Sequence, residues 1–208
     1  MELEKQENSA IVDVINWIKK HKEPFFTTVI IVVVIALLIT FICIRTKMVN
    51  IAASDKLNVA KQVIASGNLE QGMLLIDDVI NTYGKTSSAS QAVIIKAGNL
   101  IFQKKYDDAE AVLKNYVENA NPKTVRPIGY PLLISVYDNN NNIEQAISVS
   151  KEFLTKYPDN YLVPSVMENL ARLYELSGQE EESKNVYKDI SDKFAGTIYA
   201  ERANEKLK

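Results

Sequence analysis

One histidine, one cysteine and 7 glycines in 208 residues leave little of the usual equipment of catalysis. The histidine, His21, precedes a long apolar run and the cysteine, Cys43, lies inside it, so nothing after residue 44 is of either type. That stretch therefore excludes a Ser–His or thiolate nucleophile and the common zinc ligand sets, and a single cysteine excludes a disulfide within the chain. Gly67 and Gly72 have the spacing of a phosphate-binding loop, but Met73 and Leu74 follow where a lysine and a hydroxyl residue are required. The adjacent pairs Asp77-Asp78 and Asp107-Asp108 point apart on a helix and are expected to be solvated. Charge of one sign is also lacking: 24 basic against 26 acidic residues give a net charge of -2, without the clustered basic surface that nucleic acid needs. The sequence points to no enzyme activity, no cofactor, no metal and no nucleic acid.

What the chain does have is one membrane-length apolar run. Phe25 to Ile44, FFTTVIIVVVIALLITFICI, holds no charge and as a helix spans about 30 Å, the thickness of a hydrocarbon layer. It predicts a transmembrane helix over residues 25–44. A cleaved signal peptide has a shorter apolar core and no polar lead of this length, and Thr40-Phe41-Ile42-Cys43 lacks the small residue expected before a lipidated cysteine. In the lead, residues 1–24, Ile11, Val14, Ile15 and Ile18 fall at helical spacing, with Trp17 and Lys19-Lys20-His21-Lys22 following. Both a short helix on the membrane surface and a frayed basic tail fit it. The lysines bias the amino terminus to the cytoplasm, which places residues 48–208 outside it. No strong breaker stands between Phe25 and Ser66, so the helix is expected either to run on to Ser66-Gly67-Asn68 or to hinge near residues 50–54.

Behind this segment a spacing of 37 recurs. Gly72, Ala109, Ala146 and Ser183 are all small, all follow a polar cluster, and stand 37 apart. Self-similarity at such a period marks a stacked helical solenoid. Twelve residues before each stand Ala60, Ala97, Ile134 and Ala171; nine before, Val63, Leu100, Tyr137 and Tyr174; seven after, Val79, Tyr116, Phe153 and Ile190. Four units of an A helix, a turn and a B helix follow, at about 53–89, 90–126, 127–163 and 164–200. Their A helices are expected at 53–66, 88–103, 128–139 and 163–177 and their B helices at 69–82, 106–119, 142–156 and 180–193. Unit three departs most, with Ile134 at a small position, Ser150 at a bulky one, and Pro127 and Pro131 shortening its A helix. Tyr199, Ala203 and Leu207 predict a final capping helix. The expected fold is all-α: one amino-terminal transmembrane helix, then a solenoid of about four helix pairs with a carboxy-terminal cap.

Ala171, Tyr174, Ser183 and, in the third unit, Pro158 resemble the small, aromatic, small and proline positions of the tetratricopeptide repeat, a likeness that covers residues 53–196. Solenoids of that family bind partners along the face made by successive A helices. By this resemblance the second, fifth, ninth, twelfth and thirteenth positions of each unit face inward. They include Leu57, Ile64, Ile94, Ile101 and Phe102, with Lys61, Glu168, Arg172 and Glu175 supplying charge at the two ends. The Lys and Asn set of the family's carboxylate clamp is not reproduced. Two roles stand open to the apolar members: lining a groove for a hydrophobic segment or partner helix, or packing within a short stack. The order of polar lead with Trp17-Ile18-Lys19-Lys20, transmembrane helix and repeats is similar to the YfgM-type ancillary subunits of the bacterial Sec translocon. That resemblance implies an inner-membrane, periplasm-facing protein whose partners are the SecYEG translocon, periplasmic chaperones or unfolded clients. A fixed structural subunit of another envelope machine, for secretion, outer-membrane assembly or flagella, is the alternative.

Overall fold

The computed structural model describes residues 12, 16, 17 and 19–208, and the expected surface helix built on Ile11, Val14, Ile15 and Ile18 lies outside them. The chain divides into two compact units, Met1–Met48 and Val49–Lys208. Helix α1, Lys22–Ala65, is 44 residues long and contributes to both. From Phe26 to Met48 its apolar residues are exposed, and by length and composition it is able to cross a membrane. Three hydroxyls in this stretch are self-contained: Thr27, Thr28 and Thr40 each donate to the carbonyl four residues back, at 2.8 Å. Such bonds leave no polar side chain unpartnered in an apolar surrounding.

In the second unit the end of α1 is followed by α2 (Leu69–Tyr83), α3 (Ser87–Phe102), α4 (Tyr106–Asn119), a 3₁₀ segment (Lys123–Ile128), α5 (Gly129–Asn139), α6 (Ile143–Lys156), α7 (Val163–Leu176), α8 (Glu180–Lys193) and α9 (Ile198–Lys206). From α2 onward each helix packs on the next, and two second-neighbour pairs, α3 with α5 and α7 with α9, also touch. This is the all-α solenoid the 37-residue period predicts, with α9 as the cap. The cap buries Ala200 and Ala203, whereas Leu207 stays 40% exposed at its end.

The small positions do what their size implies. Gly72, Ala109, Ala146 and Ser183 are all buried, and a Cβ added to Gly72 would stand 2.3 Å from Cγ1 of Ile64 and 3.3 Å from the carbonyl oxygen of Ala60. Bulk there would force α1 and α2 apart. The A-to-B turn is also periodic. Gly67, Lys104, Asn141 and Gly178 have φ of 91°, 59°, 56° and 75°, one left-handed residue per unit at the same register. In each turn the next amide donates to the carbonyl five residues back, as from Lys105 to Leu100 and from Gln179 to Tyr174, both at 2.9 Å. These are the paired bonds that close a helix end.

Two cores result. Leu57, Ala60, Ile76, Val79, Ala89 and Ala92 make the amino-terminal one. A larger one runs from Ala97 to Ala203 and contains Tyr130, Tyr137, Phe153, Tyr174 and Tyr187. In unit three, Ser150 is fully buried where other units carry bulk, and its hydroxyl donates to the Ala146 carbonyl at 2.8 Å. Close by in the same unit, Tyr130, Phe153 and Tyr157 cluster with ring centroids 5.4 to 5.7 Å apart.

Candidate interaction surface

A pocket of about 330 Å³ opens between the end of α1, α3 and the 3₁₀ segment. One wall comes from the shortened start of unit three. The A helices of units two and four start at Ser87 and Val163, whereas that of unit three starts only at Gly129 and runs 11 residues. Proline at 127 has no amide to donate and disfavours a helical residue before it, so the would-be first turn becomes the 3₁₀ segment instead. This segment lines the pocket with Val125 and Ile128. Gly129 is needed at the join, because a Cβ there would meet the Tyr116 ring at 2.5 Å.

The walls are pinned from behind. Ser90 Oγ donates to the Asn121 carbonyl at 2.6 Å, Tyr116 Oη to the Val125 carbonyl at 3.2 Å, and Arg126 Nε to the Ala120 carbonyl at 3.0 Å. Burial pushes the Tyr116 phenol up to about 12, so it stays a neutral donor at physiological pH. The lining is chiefly apolar, with Ile94, Ile95, Val125 and Ile128 set beside Lys61 and Gln91. Lys61 Nζ donates to Gln91 Oε1 at 3.3 Å. Among the described residues it forms no ion pair.

The residues expected to face inward separate into four groups. Lys61 and Ile94 line the pocket. Leu57 is 2% exposed and belongs to the amino-terminal core, and Ile64 packs on that core beside Gly72. Ile101 is half-buried against the larger core, whereas Phe102, next to it, is 84% exposed and outside the pocket. Glu168, Arg172 and Glu175 lie together at the other end, but their charge is met within the stack. Arg172 pairs with Asp138 at 2.5 Å, Arg202 with Glu168 at 3.3 Å, and Lys206 with Glu175 at 3.1 Å. Gln91 and Ile128 were not singled out from the sequence, although both hold the second position of their units, which the register assigns to the inward face. Among the described residues no three His, Cys, Asp or Glu side chains gather as a metal-ligand set.

A family profile described as a tetratricopeptide repeat-like domain matches residues 16–161. No curated protein matches the chain. Solved structures share the fold at low identity. A Podosopora anserina protein assigned as a kinesin light chain with nearly identical TPR-like repeats is 15% identical, with a TM-score of 0.57 over 74% of this chain and 82% of its own. MamA from AMB-1 is 20% identical, with a TM-score of 0.53 over 70% of this chain and 74% of its own.

Proposed function

The chain belongs to the tetratricopeptide repeat-like domain family, and we propose that it is a membrane-anchored scaffold that receives an apolar segment of a protein partner in the pocket between α3 and the 3₁₀ segment. The observation that carries this is the pocket itself: four aliphatic side chains drawn from α3 and the 3₁₀ segment, with Lys61 and Gln91 beside them. Apolar burial supplies affinity at roughly 25 cal/mol per Å², and the two polar side chains orient what enters. The fold provides a binding surface, and no catalytic role is proposed.

In this reading residues 1–24 stay in the cytoplasm, residues 25–44 cross the bacterial inner membrane, and residues 48–208 work outside the cytoplasm. The lysines before the apolar run support that orientation. The order of lead, anchor and repeats supports a role beside the Sec translocon, assisting translocation or chaperoning, with SecYEG, periplasmic chaperones or unfolded clients as partners. A photo-crosslinking amino acid at Ile94 or Ile128 tests it in living cells. Translocon subunits and assorted envelope proteins are the expected products. A single stoichiometric partner transfers the protein to the alternative, a fixed subunit of another machine, and no crosslinked protein from either position sinks the pocket reading. Ile94→Asp removes the crosslinks made from position 128 while leaving helicity intact; loss of helicity would assign Ile94 to the core.

A further inference from the structure

Ahead of the apolar run, three rings form one stripe. Trp17, His21 and Phe25 stand four residues apart, and the helical pattern continues through them: the His21 amide donates to the Trp17 carbonyl at 3.0 Å and the Phe25 amide to the His21 carbonyl at 3.1 Å. The same Trp17 carbonyl accepts from His21 Nδ1 at 3.1 Å. Trp17 and His21 have ring centroids 5.1 Å apart, and Trp17 meets Phe25 edge-on at 6.4 Å.

The second distance is informative. At helical rise, two Cα atoms eight residues apart stand about 12 Å apart along the axis, whereas the Trp17 and Phe25 rings are 6.4 Å apart. The Trp17 ring therefore lies next to that of Phe25, the first residue of the apolar run. A headgroup layer is about 5–8 Å thick on each side. With the Phe25 ring at the edge of the hydrocarbon, an indole whose centroid is 6.4 Å from it falls within that layer, the level where amphipathic aromatic rings are favoured. Lys19, Lys20 and Lys22 are exposed around the same two turns, about 4–9 Å along the axis from Phe25 and within side-chain reach of the phosphates. The carboxylate of this stretch, Glu23, leaves the lysines in excess.

We propose that the Trp17–His21–Phe25 stack and its three lysines form a binding site for anionic phospholipid headgroups, which fixes the depth of the helix in the bilayer. The inference rests on the anchor reading above and holds for either orientation of the chain. Trp17 is the sole tryptophan, so its fluorescence reports this site alone. The full chain is reconstituted in vesicles of phosphatidylcholine, with or without phosphatidylglycerol. Retention through alkaline carbonate washing is read separately from Trp17 emission, from its quenching by aqueous iodide and from its quenching by headgroup-labelled lipid. The expected result is a blue-shifted emission and a several-fold loss of iodide quenching when phosphatidylglycerol is present, both reversed by combining Lys19→Gln, Lys20→Gln and Lys22→Gln. A protein that resists carbonate while iodide reaches Trp17 equally in both lipids overturns the site and leaves the anchor standing. Release by carbonate overturns both.

Discussion

The two ends of the solenoid use one register to opposite effect. In the first two units the inward A-helix positions carry Lys61, Gln91 and Ile94 beside an open pocket, and the core behind them is small and half alanine. In the last units and the cap the corresponding face carries Asp138, Glu168, Arg172 and Glu175, matched by one another or by Arg202 and Lys206, over a core rich in tyrosine. Complementary charges on neighbouring helices satisfy each other and close the face. At the other end Lys61 meets only the neutral Gln91, and the aliphatic residues beside it stay partly uncovered. Inward position alone therefore does not tell which side chains stay uncovered; whether the next unit supplies a partner does.

The contrast in cores predicts the largest effect. Phe153 and Val79 hold the same register position, and both are fully buried. Phe153→Ala is expected to cost about 3–5 kcal/mol, because it empties a site between Tyr130 and Tyr157. Val79→Ala should cost roughly 2 kcal/mol, the loss of two methyl groups and a small cavity. Urea unfolding of the full chain in detergent, followed by circular dichroism, compares them; equal losses would mean that the amino-terminal core is as demanding as the other.

A smaller effect is expected at the A-to-B turns. Lys104 occupies the left-handed conformation that Gly67 and Gly178 occupy in units one and four. A side chain there costs roughly 1 kcal/mol that glycine avoids. Lys104→Gly should therefore raise stability by about 1 kcal/mol and Gly178→Ala lower it by a similar amount. The same unfolding measurement checks the pair, and a Lys104→Gly protein less stable than the parent would show that the lysine side chain contributes more than the turn costs.

These positions also mark what the sequence could convey. The period was visible because helix crossings exclude bulk, and the small residue recurs in every unit, even as Ser183. Gly67 announced its turn by type, but Lys104 did not, since lysine is no signal for a left-handed backbone. Pro127 foretold a shortened helix in unit three. It did not foretell a pocket there, because that depends on where α3 and Tyr116 lie in space. Leu57 and Phe102 share the inward register, yet one is 2% and the other 84% exposed. Spacing assigns a face, and only the neighbouring unit decides how much of that face is covered.

The charge pairs show the same limit and give the smallest expected effect. Asp138 and Arg172, like Glu168 and Arg202, are 34 residues apart rather than one full period, a diagonal contact about one helical turn off register that sequence spacing does not reveal. Both members of the Asp138–Arg172 pair are partly solvated, so the pair should contribute only about 0.2–1 kcal/mol. A double-mutant cycle of Asp138→Asn and Arg172→Gln isolates that coupling, and added salt should reduce it. If the pair's purpose is to close this face rather than to hold the stack together, Arg172→Gln will leave stability nearly unchanged and expose Asp138. A crosslinker at Ser135, beside Asp138 on α5, would then capture protein that it does not capture in the parent chain. An unchanged crosslinking pattern, with a coupling well above 1 kcal/mol, would instead make the charge pairs part of what holds the carboxy-terminal units together.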